Sequence, residues 1–176
     1  MEDYLELVKL DPQWRCFYED GTTLDLVSDA QKMADSLIEY SNDFGEGIRY
    51  KQFLAESEDL HLISRDYFFW KSIGGVRDMM NVGDSFKPGV LSDLKKLRMG
   101  KSVSGTVRKH AHDPRVAQML DHFTQYVGSC PEASPAVLCG IAHMQVDEGI
   151  SYPIGGTRAV PEALITLGRE LGVEYR

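Results

Sequence analysis

The sequence lacks the features that mark several large classes of protein. No run of about 18 apolar residues is present, so no membrane-spanning helix is predicted, and the start Met1-Glu2-Asp3 does not resemble a signal peptide. Basic residues are outnumbered, with 19 Lys and Arg against 27 Asp and Glu and a formal net charge of -8. Nucleic-acid-binding proteins carry a basic excess, so we expect no nucleic-acid partner.

Cysteine and metal-ligand patterns are scarce. The three cysteines are Cys16, Cys130 and Cys139. They include no Cys-x-x-Cys pair, which fits a reducing compartment and predicts buried free thiols in a cytoplasmic protein. His110 and His112 are two residues apart and would not share a helical face, and neither they nor His122 belong to a known ligand pattern. The sequence therefore predicts no metal site.

The amino-acid composition predicts a single globular domain over residues 1–176. The chain is 43% hydrophobic and 26% charged, and a chain of this size buries roughly two-thirds or more of its unfolded surface. Apolar residues recur at helical spacing in several segments. We predict a helix after a cap at Ser28 or Asp29, one from about Gly47 to Trp70 and one from about Val90 to Met99. Asp113-Pro114 is a cap and first-turn pair for a helix that ends at Gly128, and Ser134-Pro135 repeats this device for a helix from about Ala136 to Val146. The last predicted helix runs from about Thr157 to Gly172, with Val160, Leu164, Leu167 and Leu171 on one face. The predicted fold class is α+β, mostly helical with a few antiparallel strands.

The predicted strands near the N-terminus surround a turn signal. Residues 4–10 and 15–26 carry strand-forming residues, and Asp20-Gly21 is typical of a two-residue hairpin. Pairing across that turn sets Phe17 opposite Leu24. Alternatively, Asp11-Pro12 starts a loop and only the later hairpin is regular. Both interpretations predict a small antiparallel sheet.

The C-terminal stretch predicts a strand, a glycine turn, a helix and the start of another strand. Tyr152-Pro153-Ile154 is expected to be extended, because proline biases the preceding residue towards β geometry. Gly155-Gly156 then permits backbone angles and close approaches that a Cβ would forbid. The helix is expected to end at Gly172 in a left-handed cap and to lead into a strand at Val173–Tyr175.

Three sequence patterns occur in order along the chain. They are YLELVKLDPQWRCFYEDGTTLDL at the start, Tyr126-Val127-Gly128 followed by Pro131 and Ser134-Pro135-Ala136, and Tyr152-Pro153-Ile154-Gly155-Gly156 with the helix after it. This arrangement resembles the phytoene dehydrogenase (carotenoid desaturase) branch of the FAD-dependent amine oxidase superfamily. The resemblance covers nearly the whole chain and implies an oxidoreductase of carotenoid biosynthesis that acts on an apolar isoprenoid or polyene.

The FAD-binding motif of that family has no counterpart in this sequence. The family holds FAD with an N-terminal Gly-x-Gly-x-x-Gly turn between a strand and a helix. The Gly-Gly pairs of this chain, Gly74-Gly75 and Gly155-Gly156, lack that spacing. We therefore expect an internal fragment that corresponds to the substrate-binding domain and lacks the Rossmann-type flavin domain. FAD would bind the full-length protein, and this chain alone would be inactive.

The resemblance also implies site residues. Those expected to line the substrate cavity are Tyr126, Gly128, Pro135 and Tyr152. Gly155 and Gly156 are expected where the backbone approaches the flavin. No catalytic residue is assigned, because Phe53-Leu54 is followed by Ala55-Glu56-Ser57-Glu58 and departs from the pattern of bacterial phytoene desaturases. The sequence is therefore equally consistent with a substrate other than phytoene, such as another isoprenoid or polyene.

Two further features are compatible with a membrane surface. The aromatic run Tyr67–Trp70 fits either the core or the wall of an apolar channel. Seven basic residues lie between Lys95 and Arg115, and they fit either a solvated helical face or attraction to anionic lipid. A peripheral membrane contact is thus an expectation. The alternative function is a non-enzymatic apolar-ligand or membrane-docking module.

Overall fold

The computed structural model describes residues 3–65, 98 and 100–175. The strands are β1 Leu7–Lys9, β2 Trp14–Phe17, β3 Thr23–Leu26 and β4 Ser151–Pro153. The α-helices are α1 Ala30–Ser41, α2 Phe44–Ser64, α3 Val103–His110, α4 Pro114–Asp121, α5 Gly140–His143 and α6 Ala159–Glu170. Tighter 3-10 turns cover His122–Val127 and Ala136–Cys139, and a wider π-helical turn covers Met144–Glu148. The predicted α+β fold, mostly helical with a few antiparallel strands, is confirmed.

The core lies where α1 packs on α2 and where α2 packs on α3 and α5. Asp29 starts α1, as predicted, because its Oδ1 accepts the backbone N–H groups of Gln31 and Lys32 at 2.9 Å. The apolar side of α1 is buried at Met33, Ala34 and Leu37. The apolar side of α2 is buried at Tyr50, Phe53 and Leu60. Both patterns follow the helical spacing of the sequence.

The start of α2 corrects the predicted boundary at Gly47. Asn42 ends α1 in a left-handed conformation with a φ of 53°. The next residue, Asp43, already caps α2 by accepting the N–H of Gly45 at 2.8 Å. One short segment therefore ends one helix and begins the other. The predicted end of α2 at Trp70, the aromatic run 67–70 and the predicted helix 90–99, apart from Arg98, lie outside the described residues. Arg98 has a φ of 51° and is in a turn, so the predicted helix does not include it.

The β2–β3 hairpin confirms the predicted turn but corrects its register. Phe17 lies opposite Thr23, whereas Leu24 was the predicted partner. Gly21 has a φ of 80° and donates its N–H to the carbonyl of Tyr18 at 3.0 Å. A three-residue loop with a left-handed final residue is therefore present where a two-residue turn was predicted. The shift buries Leu24 and leaves Phe17 77% exposed.

The strand before the glycine turn pairs with the N-terminal stretch of the chain. β1 and β4 form a two-stranded antiparallel sheet in which Val8 lies opposite Tyr152. The hairpin β2–β3 forms a second such sheet. The predicted extended conformation of Tyr152-Pro153 is confirmed. Residues 4–26 therefore contribute to two separate sheets.

The C-terminal helix α6 ends as predicted, but the strand predicted after it is wrong. Gly172 has a φ of 80°, and the N–H of Val173 donates to the carbonyl of Gly168 at 2.8 Å, which closes a Schellman cap. Residues 173–175 are not in a strand. Tyr175 instead folds back on the helix and donates its hydroxyl to the carbonyl of Leu164 at 3.3 Å.

The two Pro-initiated helices differ in how they begin. Asp113 caps α4, as predicted, by accepting the N–H of Arg115 at 2.8 Å, and the helical path ends at Gly128 with a φ of 64°. The predicted repeat of this device at Ser134-Pro135 is wrong. The Ser134 hydroxyl donates to the carbonyl of Cys130 at 2.8 Å, so the helical path from Ala136 begins without a side-chain cap.

The three cysteines are free, but they are not all buried as predicted. Cys139 is buried, and this burial raises the pKa of its thiol to about 12. Cys130 is exposed because it lies in the loop after Gly128, where its thiol donates to Glu132 at 3.2 Å. The prediction of buried thiols is therefore wrong at Cys130, and Cys16 is only partly buried.

Candidate functional site

The glycine turn after β4 is built from backbone angles that favour glycine. Gly155 and Gly156 have φ angles of 89° and 84°. The N–H of Gly156 donates to the carbonyl of Pro153 at 2.9 Å, and the N–H of Ala159 donates to the carbonyl of Gly156 at 3.0 Å. A Cβ on Gly156 would lie 3.6 Å from the hydroxyl of Tyr152, which is an ordinary contact. The requirement for glycine here comes from the φ angle.

The start of α6 offers few donors for a dinucleotide pyrophosphate. Such a group is held by free N–H groups at a helix N-terminus after a glycine-rich turn. The N–H groups of Ala159 and Val160 already donate to the carbonyls of Gly156 and Thr157 at 3.0 and 3.3 Å, and Pro161 has no N–H. These residues do not fit the pyrophosphate of FAD. The approach of the glycine pair to the flavin ring stays a prediction.

One face of the β1–β4 sheet carries four exposed apolar side chains next to the exposed Glu6, and the described parts of the chain do not cover it. Side chains alternate along a strand, and paired residues share a face. Val8, Leu10, Tyr152 and Ile154 therefore lie on the same side, with exposed fractions of 44%, 37%, 47% and 49%. We call these four residues the open sheet face. Large apolar side chains that are exposed together mark a binding surface.

The helix after the glycine turn is also apolar on its surface. The sequence predicted an apolar face at Val160, Leu164, Leu167 and Leu171. Within the described ranges no residue of α6 is buried, and Leu164 and Leu171 are 53% and 74% exposed. Tyr4, which precedes β1, contacts Glu170 through its hydroxyl. This contact links α6 to the segment that leads into β1.

Tyr126, a predicted cavity residue, lies at the edge of a buried group of aromatic and amide side chains. Its hydroxyl donates to Oε1 of Gln145, on the π-helical turn, at 2.7 Å. Its ring centre is 6.5 Å from that of His122, which stacks on Trp14 at 4.7 Å. Nε2 of Gln13 donates to the carbonyl of Gln145 at 3.0 Å. We call these five residues the Tyr126 cluster.

The predicted cavity residues are distributed over separate parts of the structure. Tyr152 belongs to the open sheet face, and Tyr126 belongs to the Tyr126 cluster. Gly128 ends the 3-10 turn, with no atom within 4 Å of a Cβ built on it. Pro135 pairs with Ser102 in a single antiparallel bridge. A shared cavity for these residues stays a prediction.

Acidic side chains pair with most of the described basic residues of the cluster predicted between Lys95 and Arg115. The pairs are Arg98–Glu56, Arg108–Asp121 and Arg115–Asp113, with nitrogen–oxygen distances of 2.7, 2.7 and 2.8 Å. The Arg115 guanidinium holds the pKa of Asp113 below its usual range. Such pairing reduces the positive charge available to anionic lipid. Lys95 and Lys96 lie outside the described residues, so the peripheral membrane contact stays a prediction.

One group of possible metal ligands is explained by a salt-bridge network. Ligand atoms of Asp43, Glu46 and His112 lie within 4.8 Å of one another. Arg49 pairs with both carboxylates, and Oε1 of Glu46 accepts the backbone N–H of His112 at 3.0 Å. His110 points elsewhere, with Nε2 at 2.8 Å from Oε2 of Glu56. These contacts account for the grouping without a metal ion.

No protein-family model matches the chain. Curated relatives nevertheless align along its whole length. A 4,4'-diapolycopene oxygenase of Methylomonas sp is 32% identical over 178 residues, covering 100% of this chain and 34% of that protein. A zeta-carotene-forming phytoene desaturase of Myxococcus xanthus is 30% identical over 175 residues, covering 99% and 32%. A carotenoid 3,4-desaturase of Haloarcula japonica is 29% identical over 177 residues, covering 98% and 34%.

The chain is similar, along nearly all of its length, to proteins named carotenoid desaturase, diapolycopene oxygenase and phytoene desaturase. The predicted resemblance to phytoene dehydrogenase-like oxidoreductases is thereby confirmed. The chain spans about a third of the length of these relatives. No helix among the described residues is long and apolar enough to cross a membrane.

Proposed function

We propose that this chain forms the substrate-binding part of an FAD-dependent oxidoreductase that acts on an apolar isoprenoid or polyene. The observation that carries the proposal is the similarity, along the whole chain, to proteins named carotenoid desaturase, diapolycopene oxygenase and phytoene desaturase. The start of α6 does not fit the pyrophosphate of FAD, so the flavin would be gripped elsewhere in the full-length enzyme. The chain alone is expected to be inactive.

The open sheet face supports an apolar substrate. A hydrocarbon polyene has no hydrogen-bonding groups, so its binding depends on apolar burial at about 25 cal/mol per Å². A protein that binds such a molecule must expose apolar side chains before binding. Val8, Leu10, Tyr152 and Ile154 do so, and Ile154 is followed directly by the glycine turn. A polyene lying along this face would therefore reach Gly155 and Gly156.

The division of work between cofactor and protein follows from this arrangement. In such an enzyme the flavin would accept a hydride when a carbon–carbon bond of the substrate is oxidised. The residues of this chain would hold the substrate in position and exclude water around it. Gly155 and Gly156 would let the backbone pass close to the reacting part of the substrate, because their left-handed angles suit residues without a Cβ.

Binding of a coloured polyene to the 176-residue chain in detergent micelles tests the proposal. We expect saturable binding, measured by the shift of the polyene absorption band and by co-elution in gel filtration. Tyr152→Glu places a charge on the open sheet face and should weaken binding about tenfold, which corresponds to about 1.4 kcal/mol. Phe44→Glu is the matched control, because Phe44 is 74% exposed at the start of α2. Absence of saturable binding, or equal losses in both variants, would contradict the proposal.

A further inference from the structure

Among the residues that the structure describes, three polar atoms of the Tyr126 cluster are buried without a hydrogen-bond partner. They are Oε1 of Gln13, Nε2 of His122 and Nε2 of Gln145. The three residues are only 6%, 7% and 6% exposed. Leaving such groups unpaired is costly, since each loses its hydrogen bonds to water on burial. Three of them in residues that are linked by hydrogen bonds and ring contacts indicate a site made to bind a polar group.

The neighbouring contacts fix what each unpaired atom can do. Gln13 uses its N–H to donate to the carbonyl of Gln145 at 3.0 Å, so its free Oε1 is an acceptor. Nδ1 of His122 contacts the carbonyl of Met119, which requires the proton on Nδ1 and leaves Nε2 as an acceptor. Gln145 accepts the Tyr126 hydroxyl on Oε1, so its free Nε2 is a donor. Acceptors and a donor in one cluster match a hydroxyl group, which both donates and accepts.

Aromatic rings form the boundary between these polar atoms and solvent. Trp14 stacks on His122, whose other neighbour Phe123 lies 4.2 Å away between ring centres. Trp14 and Tyr126 are 37% and 57% exposed, so they form the outer side of the cluster. The hydroxyl of Tyr126 reaches inward to Gln145. Rotation of this single half-exposed side chain would open the amide of Gln145 to a ligand.

The Tyr126 cluster is connected to the β1–β4 sheet through two segments, the one that follows β1 and the one that precedes β4. The N–H of Leu10 donates to the carbonyl of Ile150 at 2.9 Å, at the end of the β1–β4 ladder. Gln13 and Gln145 then join the same two segments just beyond that end. Gln145 also accepts the N–H of Gly149 on its carbonyl at 3.0 Å. The Tyr126 cluster therefore lies beyond the Leu10–Ile150 end of this sheet.

We propose that the Tyr126 cluster is a subsite for the hydroxyl group at one end of an apolar isoprenoid, with Tyr126 as its movable cover. The inference rests on the proposed function, because the open sheet face supplies the binding of the apolar part. The ligand hydroxyl accepts from Nε2 of Gln145 and donates to Nε2 of His122 or Oε1 of Gln13. The Tyr126 hydroxyl gives up its bond to Gln145 when the ring moves.

Farnesol and farnesene, isoprenoids of equal carbon number of which only farnesol carries a hydroxyl, test the subsite. We expect the 176-residue chain to bind farnesol roughly fivefold to tenfold more tightly in calorimetric titrations, the effect of one or two hydrogen bonds. Gln145→Met should abolish this preference and leave farnesene binding unchanged. Gln52→Met, at an exposed glutamine of α2, should keep the preference.

A second readout follows His122 in the unsubstituted chain and uses a variant only to assign its resonance. With ¹⁵N-labelled histidine, farnesol and not farnesene should shift the Nε2 resonance of His122, assigned by its loss in His122→Phe. Equal affinity for the two isoprenoids with no ¹⁵N shift would overturn the hydroxyl subsite and leave the proposed apolar function intact. Binding of neither isoprenoid would overturn both.

Discussion

Glu46 and His112 lie far apart in the sequence and are joined by a buried hydrogen bond. Oε1 of Glu46 accepts the backbone N–H of His112 at 3.0 Å. Glu46 is only 1% exposed, and its other oxygen pairs with Arg49 on the same helix. The carboxylate is thus bound from both sides, which offsets the cost of burying its charge. This contact fastens α2 to the segment that starts α4.

Loss of the Glu46 charge should therefore destabilise the fold. Glu46→Gln keeps the side-chain size but weakens both contacts, and we expect the free energy of unfolding in urea to fall by about 2 to 3 kcal/mol. Asp43→Asn is the control, because asparagine still caps α2 and the exposed pair with Arg49 contributes under about 1 kcal/mol. Equal losses in the two variants would show that Glu46 is not an anchor.

Substitution of Gly156 should be far more damaging than substitution three residues later. Gly156 has a φ of 84°, and forcing a β-branched residue into that region costs roughly 1 to 3 kcal/mol. Ala159 lies in the first turn of α6, where valine loses only about half a kcal/mol of helix propensity. We expect Gly156→Val to lower the melting temperature more than Ala159→Val. Similar melting temperatures would mean that Gly156 has ordinary backbone angles in solution.

His122 should make stability depend on pH below its ordinary pKa. Burial lowers the pKa of His122 from the usual 6.5, so the unfolded chain binds the proton more readily than the folded chain. Stability should therefore fall as pH drops below about 6.5, until the lowered pKa of the folded state is reached. His122→Phe keeps a ring beside Trp14 and removes this titration. We expect it to lose less stability than the native chain between about pH 7 and about pH 5.

Thermal unfolding across that pH range checks the prediction. The carboxylates with lowered pKa, such as Asp25 and Asp113, titrate at lower pH and are common to both proteins. Parallel stability curves for the native chain and His122→Phe would show that His122 is protonated equally well in the folded and unfolded states.

The sequence was most informative where local chemistry decides the structure. The caps at Asp29 and Asp113 and the left-handed Gly172 depend on residues within one helical turn, and all three were predicted. The register of the β2–β3 hairpin was wrong, because Gly21 adopts its left-handed angle at the end of a three-residue loop. Sequence spacing alone does not separate that loop from a two-residue turn. The pairing of β1 with β4 joins distant segments and gave no local signal.

The candidate site also has one part that the sequence could predict and one part that it could not. The φ angles of Gly155 and Gly156 could be anticipated, because a Gly-Gly pair before a helix favours a turn. The Tyr126 cluster could not, apart from Tyr126 itself. Gln13, His122 and Gln145 come from three distant segments, and isolated polar residues of this kind usually face solvent. Their shared burial follows from the packing of the 3-10 and π-helical turns, which periodicity does not predict.

Flavin binding by the purified 176-residue chain tests most directly whether it is the substrate side of a flavoenzyme. The first N–H groups of α6 already donate to backbone carbonyls, and Pro161 has no N–H. The start of this helix therefore has few donors with which to bind the pyrophosphate of a dinucleotide. We expect a colourless protein and no saturable quenching of FAD fluorescence below roughly millimolar concentration. A yellow protein that carries stoichiometric flavin would contradict this assignment.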